Sequence, residues 1–331
     1  MKVLFIGGTG VISSACSALA VERGMDLYIL NRGKTDLRPA PPDAHLLYAD
    51  IRQPESVATT LGDMTFDAVV DWVAFTPEHI ETDLRLFRGR TAQYIFISSA
   101  SAYQTPPTHL PITESTPLHN PVWRYSQNKI ACELRLQQAY RDENFPVTIV
   151  RPSHTYDATL VPLRGRYTAL HRMRQGKPII IHGDGSSLWT LTHNTDFAKG
   201  LVGLLGNPAA IGHAIHITSD ELLTWNQIAE LLADALGVTA NIVHVPSDFI
   251  AKFDAEWGAG LLGDKAHSVI FDNSKIKRLV PDFVCTVPFA RGAQEIVDWY
   301  LADPSRQQVD AAFDALVDRI IAAQTAGLPS V

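Results

Sequence analysis

The sequence predicts an α/β fold: a doubly wound parallel sheet followed by a smaller, discontinuous C-terminal unit. Two observations carry that reading. Short apolar runs alternate with helical patterns over roughly the first half of the chain, the rhythm of parallel strands joined by crossover helices. A glycine-rich turn, Gly7-Gly8-Thr9-Gly10, stands between the first apolar run and the first helix. The first unit is expected to span residues 1–155, with the segment 190–218 returning to it. Residues 156–331 form the remainder.

The elements follow in order. Strands are expected at Lys2–Ile6, Leu27–Leu30, His45–Tyr48, Ala68–Asp71, Gln93–Ser98 and Val147–Val150. The first helix runs from Val11 to Arg23, where Gly24 stops it. Another starts at Thr76-Pro77, a capping residue followed by proline at the first helical position. Its Ile80, Leu84 and Phe87 share one face and should be core. After Arg151 the chain breaks into shorter pieces at Pro152, Pro162, Pro178 and the loop Gly183-Asp184-Gly185. Ile211–Thr218 reads as a late strand. Helices follow at Trp225–Leu236, Ser274–Val280 and Val309–Ala323. In the last, Val309, Phe313, Leu316 and Ile320 form a stripe expected to pack on its own unit.

Composition narrows the function classes. The chain has 331 residues, 46% hydrophobic and 19% charged, as ordinary globular proteins do. No apolar run reaches the roughly 20 residues of a membrane span. Met1-Lys2 leads directly into the first strand, so no signal peptide is expected. Three widely spaced cysteines, Cys16, Cys132 and Cys285, suggest reduced thiols in a cytoplasm and no metal site. A net charge of −7 argues against nucleic acid as main partner. A small-molecule substrate is expected, and a homodimer is left open.

The glycine turn points to a dinucleotide. Gly7, Gly10 and Ser13 keep the spacing of a phosphate-binding turn that lets backbone approach a pyrophosphate at a helix N-terminus. Thr9, Val11 and Ile12 complete this group. The third position is Ser13, small enough to preserve close strand–helix packing. At the end of the second strand Asn31-Arg32 replaces the acidic residue that favours NAD. Arg32, with Lys34, suits a 2′-phosphate, so NADP is slightly preferred over NAD. Asp50-Ile51 ends the third strand, where the carboxylate either meets adenine or caps the next turn.

The catalytic stretch is Tyr125-Ser126-Gln127-Asn128-Lys129, preceded by Ser98-Ser99-Ala100-Ser101 and Tyr103. Tyr125 and Lys129 lie one helical turn apart and share a face. A nearby ammonium is expected to lower the tyrosine pKa from its usual value of about 10. With Pro111-Ile112-Thr113-Glu114 and Gly183-Asp184-Gly185, these motifs resemble those of the extended short-chain dehydrogenases/reductases, in their NAD-dependent epimerase/dehydratase group. The resemblance covers most of the chain and weakens toward its end. It implies a Rossmann domain, an NADP or NAD cofactor and a Ser-Tyr-Lys catalytic set. Ser99 is the preferred serine, with Ser98 and Ser101 as alternatives. Ser101 is also carried as a substrate contact.

Departures from the family pattern matter too. Ala100-Ser101 stand where the 4,6-dehydratases of this group carry an Asp-Glu pair, which argues against dehydration. Trp189 and Leu261 replace two arginines that clamp nucleotide-sugar diphosphates. His154 stands where many relatives place an asparagine that meets substrate, and His193 follows nearby. Both are expected in the substrate region, with Trp189 as an apolar wall. Asp71 is either a substrate contact or a loop cap. Arg164, Arg166, Arg172, Arg174 and Lys177 read first as a solvated face, with an anion clip as the alternative. The expected function is hydride transfer at a secondary alcohol or ketone of a sugar-like substrate. The rivals are an epimerase with retained cofactor and an RNA-binding protein resembling the chloroplast stem-loop RNA-binding proteins.

Overall fold

The structure is a computed structural model that describes residues 1–34 and 37–327. The N-terminal elements are β1 (Lys2–Ile6), α1 (Ser13–Glu22), β2 (Asp26–Asn31), β3 (His45–Tyr48), α2 (Pro54–Leu61), β4 (Ala68–Asp71), α3 (Pro77–Phe87), β5 (Tyr94–Ile97), α4 (Arg124–Glu143) and β6 (Val147–Pro152). Then come β7 (His154–Tyr156), α5 (Tyr167–Arg174), β8 (Ile179–His182), β9 (Leu188–Trp189), β10 (Leu191–His193), α6 (Asn194–Leu204), β11 (Ala214–Ile217), β12 (Leu223–Thr224) and α7 (Trp225–Ala235). The chain closes with β13 (Ile242–Val245), α8 (Ser247–Ala251), α9 (Ala255–Gly260), α10 (Ser274–Leu279), α11 (Phe289–Ala302) and α12 (Ala311–Ala326).

Seven strands form one sheet in the order β3-β2-β1-β4-β5-β6-β11. All of its neighbouring pairs are parallel. The central strands are apolar on both faces, because helices cover both. On one face Val3, Phe5, Leu27, Ile29 and Val70 meet Phe197 and Leu201 of α6. On the other, Leu4, Ile6 and Val69 meet Ile80, Leu84 and Phe87 of α3 and Leu136 of α4. Strand order reverses between β1 and β4, the place where such sheets leave a crevice at their carboxyl ends. Register aligns Ile6 with Leu30 and with Asp71, so the ends of β1, β2 and β4 open at one level.

Local signals explain the boundaries. Gly24 takes a φ of +74° just beyond α1, which begins at Ser13 and not at Val11. Asn144 adopts the left-handed conformation that ends α4. The late strand β11 pairs with β6 at the sheet edge.

A second core lies beyond the sheet. Leu170 and Met173 of α5, Ile228 and Leu232 of α7, and Phe289 and Ile296 of α11 close around Tyr156 and Ile179. Short strand pairs, β7 with β10, β8 with β13 and β9 with β12, frame it. On α12, Ile320 is buried, and Phe313 and Leu316 pack beside Trp257 and Leu261. Val309 precedes that helix and is exposed, so the expected stripe is shorter than its pattern implied. Among the described residues, no helix is long and apolar enough to cross a membrane.

Candidate active site

The glycine turn opens a cleft of about 490 Å³ at the carboxyl ends of β1, β2 and β3. Gly7, Thr9, Gly10, Asn31, Arg32, Asp50 and Ile51 all line it. Gly7 has a φ of +91°, and a Cβ there would meet Val73 Cγ1 at 2.8 Å. Ser13 laces the turn: its hydroxyl donates to the Gly7 carbonyl at 2.9 Å and accepts from the Gly10 N–H at 2.7 Å. Val11 and Ile12 precede α1 and lie outside the lining, and the Val11 carbonyl accepts from Asn194 at 3.0 Å. Asp50 accepts from the Arg52 N–H at 3.0 Å and so caps the turn while facing the cleft.

Four cations, Arg32, Lys34, Arg38 and Arg52, line the same cleft. Arg38 is paired with Asp157 at 2.6 Å, and Arg52 donates to the Val73 carbonyl. Arg32 and Lys34 are exposed and carry no ion pair among the described residues. A tight glycine turn at a helix start beside exposed cations fits a nicotinamide dinucleotide. Gly7, Thr9 and Gly10 would hold its pyrophosphate, and Asn31 and Arg32 its adenosine ribose.

The serine loop and the tyrosine helix are tied together by hydroxyls. Ser99 ends β5's extension and caps a short 3₁₀ turn by accepting from the Ser101 N–H. The Ser99 and Ser101 hydroxyls are 2.9 Å apart, and Ser126 donates to Ser101 at 2.7 Å. Ser101 is therefore buried between Ser99 and the start of α4, a linking position and not an open contact. Ser98 is also excluded from the site, since its hydroxyl donates to buried Glu133 at 2.5 Å.

Tyr125 and Lys129 project from the first turns of α4. Lys129 Nζ donates to the Ala74 and Ile97 carbonyls, each at 2.7 Å, which leaves one N–H unassigned. Burial lowers its pKa to about 8. It sits 4.7 Å from the centroid of Phe75, a cleft-lining residue, and 5.9 Å from that of Tyr125. Tyr125 is pushed up to about 12, chiefly by burial, with the Ser99 hydroxyl acting against that rise. The expected depression is thus reversed, because desolvation by burial dominates the phenol's environment.

Asp71 underlies this arrangement as a loop cap. Its Oδ1 accepts from the Val73 and Ala74 N–H groups at 2.5 and 2.7 Å. That ties down the N–H side of Ala74, the residue whose carbonyl accepts from Lys129.

A second cavity of about 740 Å³ borders the site. Trp123, whose ring centroid is 5.0 Å from that of Tyr125, lines it with His154, Arg164, Arg166, Trp225, Trp257, Leu261 and Lys265. Leu261–Lys265 is a single π-helical turn, which places both of its end residues on the cavity wall. Asn120 anchors this side by donating to the Ser101 and Gly263 carbonyls at 3.1 and 2.6 Å.

The family model described as the NAD dependent epimerase/dehydratase family matches residues 3–218. The chain belongs to that family.

The sequence similarities to curated proteins are modest. The chain is 26% identical to 2'-dehydrokanamycin reductase of Streptomyces kanamyceticus, over 86% of its own length and 80% of the relative's. It is 27% identical to chloroplast stem-loop binding protein of 41 kDa b of Arabidopsis thaliana, over 75% and 67%. The solved structure of epimerase Mth375 from Methanothermobacter thermautotrophicus superimposes with a TM-score of 0.76 at 19% identity, covering 92% of this chain and 94% of that one.

Three further expectations for this epimerase/dehydratase-family site need correction. Trp189 does not line the cavity; it is buried beside His154, and aromatic wall is supplied by Trp123, Tyr167, Trp225, Trp257 and Phe313. His193 lies elsewhere, with Nδ1 2.7 Å from the Thr195 hydroxyl and Nε2 3.1 Å from Glu295, at the start of α6. The basic run is not a uniform solvated face. Arg172 is buried against Asp314 and Asp318, Arg164 pairs with Asp254 at 3.0 Å, and Arg166 faces the cavity. Lys265 was not foreseen, because no sequence pattern marks a π-turn. Phe75 was missed as well; its signal was an aromatic residue in a loop directly after Asp71.

Proposed function

We propose that this protein is an NAD(P)-dependent oxidoreductase acting at a secondary alcohol or ketone of a sugar-like substrate, with Ser99, Tyr125 and Lys129 as its catalytic set. The observation that carries the reading is the hydroxyl bridge Ser99–Ser101–Ser126, which holds Ser99 to the start of the Tyr125 helix. The reacting carbon would lie between the glycine cleft and the larger cavity. Residues 1–155 with the returning segment 190–218 would bind cofactor, and the rest would bind substrate. Arg32 and Lys34 favour NADP.

A nicotinamide cofactor held in the glycine cleft would supply or accept the hydride. In reduction Tyr125, protonated at neutral pH, gives its phenolic proton to the substrate carbonyl oxygen. Ser99 donates a hydrogen bond to the same oxygen. Lys129 holds its charge below pH of about 8 and has one N–H left for the cofactor ribose. In oxidation the proton moves the other way, onto Tyr125.

The reductase relative supports net turnover, and the test is direct. The 2-, 3- and 4-keto derivatives of methyl D-glucopyranoside are offered with NADPH or NADH, following loss of reduced cofactor. Tyr125→Phe should keep cofactor affinity and lose about 10²–10⁴-fold in kcat. Wild-type-like turnover in that variant would remove Tyr125 from the mechanism. Conversion of UDP-galactose without net cofactor change would favour the epimerase reading. The stem-loop binding relative supplies one reason to measure RNA retention as salt is raised; the net charge of −7 predicts none above background.

A further inference from the structure

His154 opens β7, and Trp189 closes β9 beside it. The Trp189 indole N–H donates to His154 Nδ1 at 3.2 Å. An indole nitrogen can only donate, so His154 Nδ1 must be the nitrogen without a proton. A neutral imidazole with bare Nδ1 carries its hydrogen on Nε2. The two rings meet edge to face, with centroids 6.4 Å apart and planes at 81°. Trp189 is itself fixed, packed against Trp225 with centroids 5.3 Å apart. His154 borders the large cavity, and its Nε2 has no hydrogen-bond partner among the described residues.

We propose that Trp189 locks His154 as the neutral Nε2–H tautomer, making His154 a fixed N–H donor to a substrate oxygen and Trp189 the positioning residue behind it. This deepens the oxidoreductase reading and rests on it for the identity of the ligand. Lys265 faces the same pair, its ammonium 5.5 Å from the Trp189 centroid, and opposes a second positive charge there. Burial first, then Lys265, holds the His154 pKa down to about 3. With Nδ1 occupied and Nε2 protonated, the ring has no acceptor to offer. The site therefore selects a hydroxyl, ether or carbonyl oxygen at this position. It disfavours an ammonium, which offers only donors and adds charge beside Lys265.

Nitrogen NMR on the cofactor-loaded enzyme tests the tautomer, with His154 assigned by its absence in His154→Gln. A single Nε2–H form that does not titrate between about pH 5 and 8 is expected. In Trp189→Phe, which keeps an aromatic ring and removes the N–H, a mixture of tautomers should appear. A proton on Nδ1 in the wild type, an imidazolium in that range, or an unchanged tautomer in Trp189→Phe would overturn the proposal.

The kinetic arm uses whichever keto-glucoside of the panel above is reduced. Trp189→Phe and His154→Leu should each raise KM roughly tenfold, with kcat changed by less than about threefold. His154→Gln, which restores an N–H donor, should recover most of the KM lost in His154→Leu. An unaltered KM in His154→Leu would refute the donor role. If no keto-glucoside is reduced, the oxidoreductase reading fails, and the NMR arm still decides the tautomer.

Discussion

Lys129 should leave opposite signatures in stability and in activity as pH rises. It is 2% exposed, and its pKa falls from 10.5 to about 8, mainly through burial. That fall corresponds to about 3 kcal/mol of disfavour toward the charged form. The folded value lies below the unfolded one, so between about pH 8 and 10.5 the unfolded chain binds more protons. Stability contributed by this group therefore increases with pH across that window. Integrated from pH 7 to pH 9, the gain is about 1.3 kcal/mol. Lys129→Met has no such titration. Urea unfolding of both proteins at the two pH values should show their stability difference moving by that amount in favour of the wild type. Activity should do the reverse: kcat/KM should fall through about pH 8 as the ammonium that orients the cofactor is lost. Parallel stability curves for the two proteins, with no fall in kcat/KM before about pH 10, would refute the placement of a charged Lys129 in a dry site.

Arg32→Ala should weaken NADP by roughly 1.5–3 kcal/mol and leave NAD nearly unchanged, as a lost charge-assisted bond requires; equal losses by calorimetry would place Arg32 outside the phosphate site. Arg166, a non-glycine residue with a φ of +49° on the cavity wall, separates two substrate classes. Wild-type protein should not bind UDP-glucose at micromolar affinity; binding that strong, abolished by Arg166→Ala, would make the basic residues a diphosphate clamp. Asp83 is buried and its pKa is raised, first by burial and then by Asp71, while Tyr94 donates to it at 2.6 Å. Its contribution to stability is present at low pH and lost as pH rises through the folded pKa. Asp83→Asn, which cannot ionise, should gain stability relative to the wild type between acid and neutral pH; a constant difference in urea unfolding would show that Asp83 is not held protonated.

The sheet was legible because each central strand is buried on both faces. Lys2–Ile6 and Ala68–Asp71 are short, nearly unbroken apolar runs with polar ends, and few other structures bury such a run. The glycine turn was legible for a different reason: Gly7 occupies a backbone region that other residues resist, so the sequence must declare it. The shorter second-half elements were less legible. α5 and α6 carry polar residues whose partners are distant in sequence. Arg172 is buried against Asp314 and Asp318 of α12, with the Pro178 carbonyl taking its Nε–H, and the spacing of basic residues around it suggests a wet helix.

The same limit governs the site. Ser99, Tyr125 and Lys129 could be paired from the sequence because one helical turn and one strand end position them. The charge of the large cavity was legible only as the alternative reading of the basic run. Replacing two arginines by Trp189 and Leu261 suggested an apolar chamber, but an arginine's absence at one position says nothing about cations arriving from other elements. Arg164 and Arg166 enter from the loop before α5, and Lys265 enters through a π-turn. Trp189 then acquires a role that its apolar surface did not suggest. It turns its indole N–H on His154 and fixes which nitrogen the cavity meets. Selectivity in this pocket would then depend on the direction of its hydrogen bonds as well as on its charge.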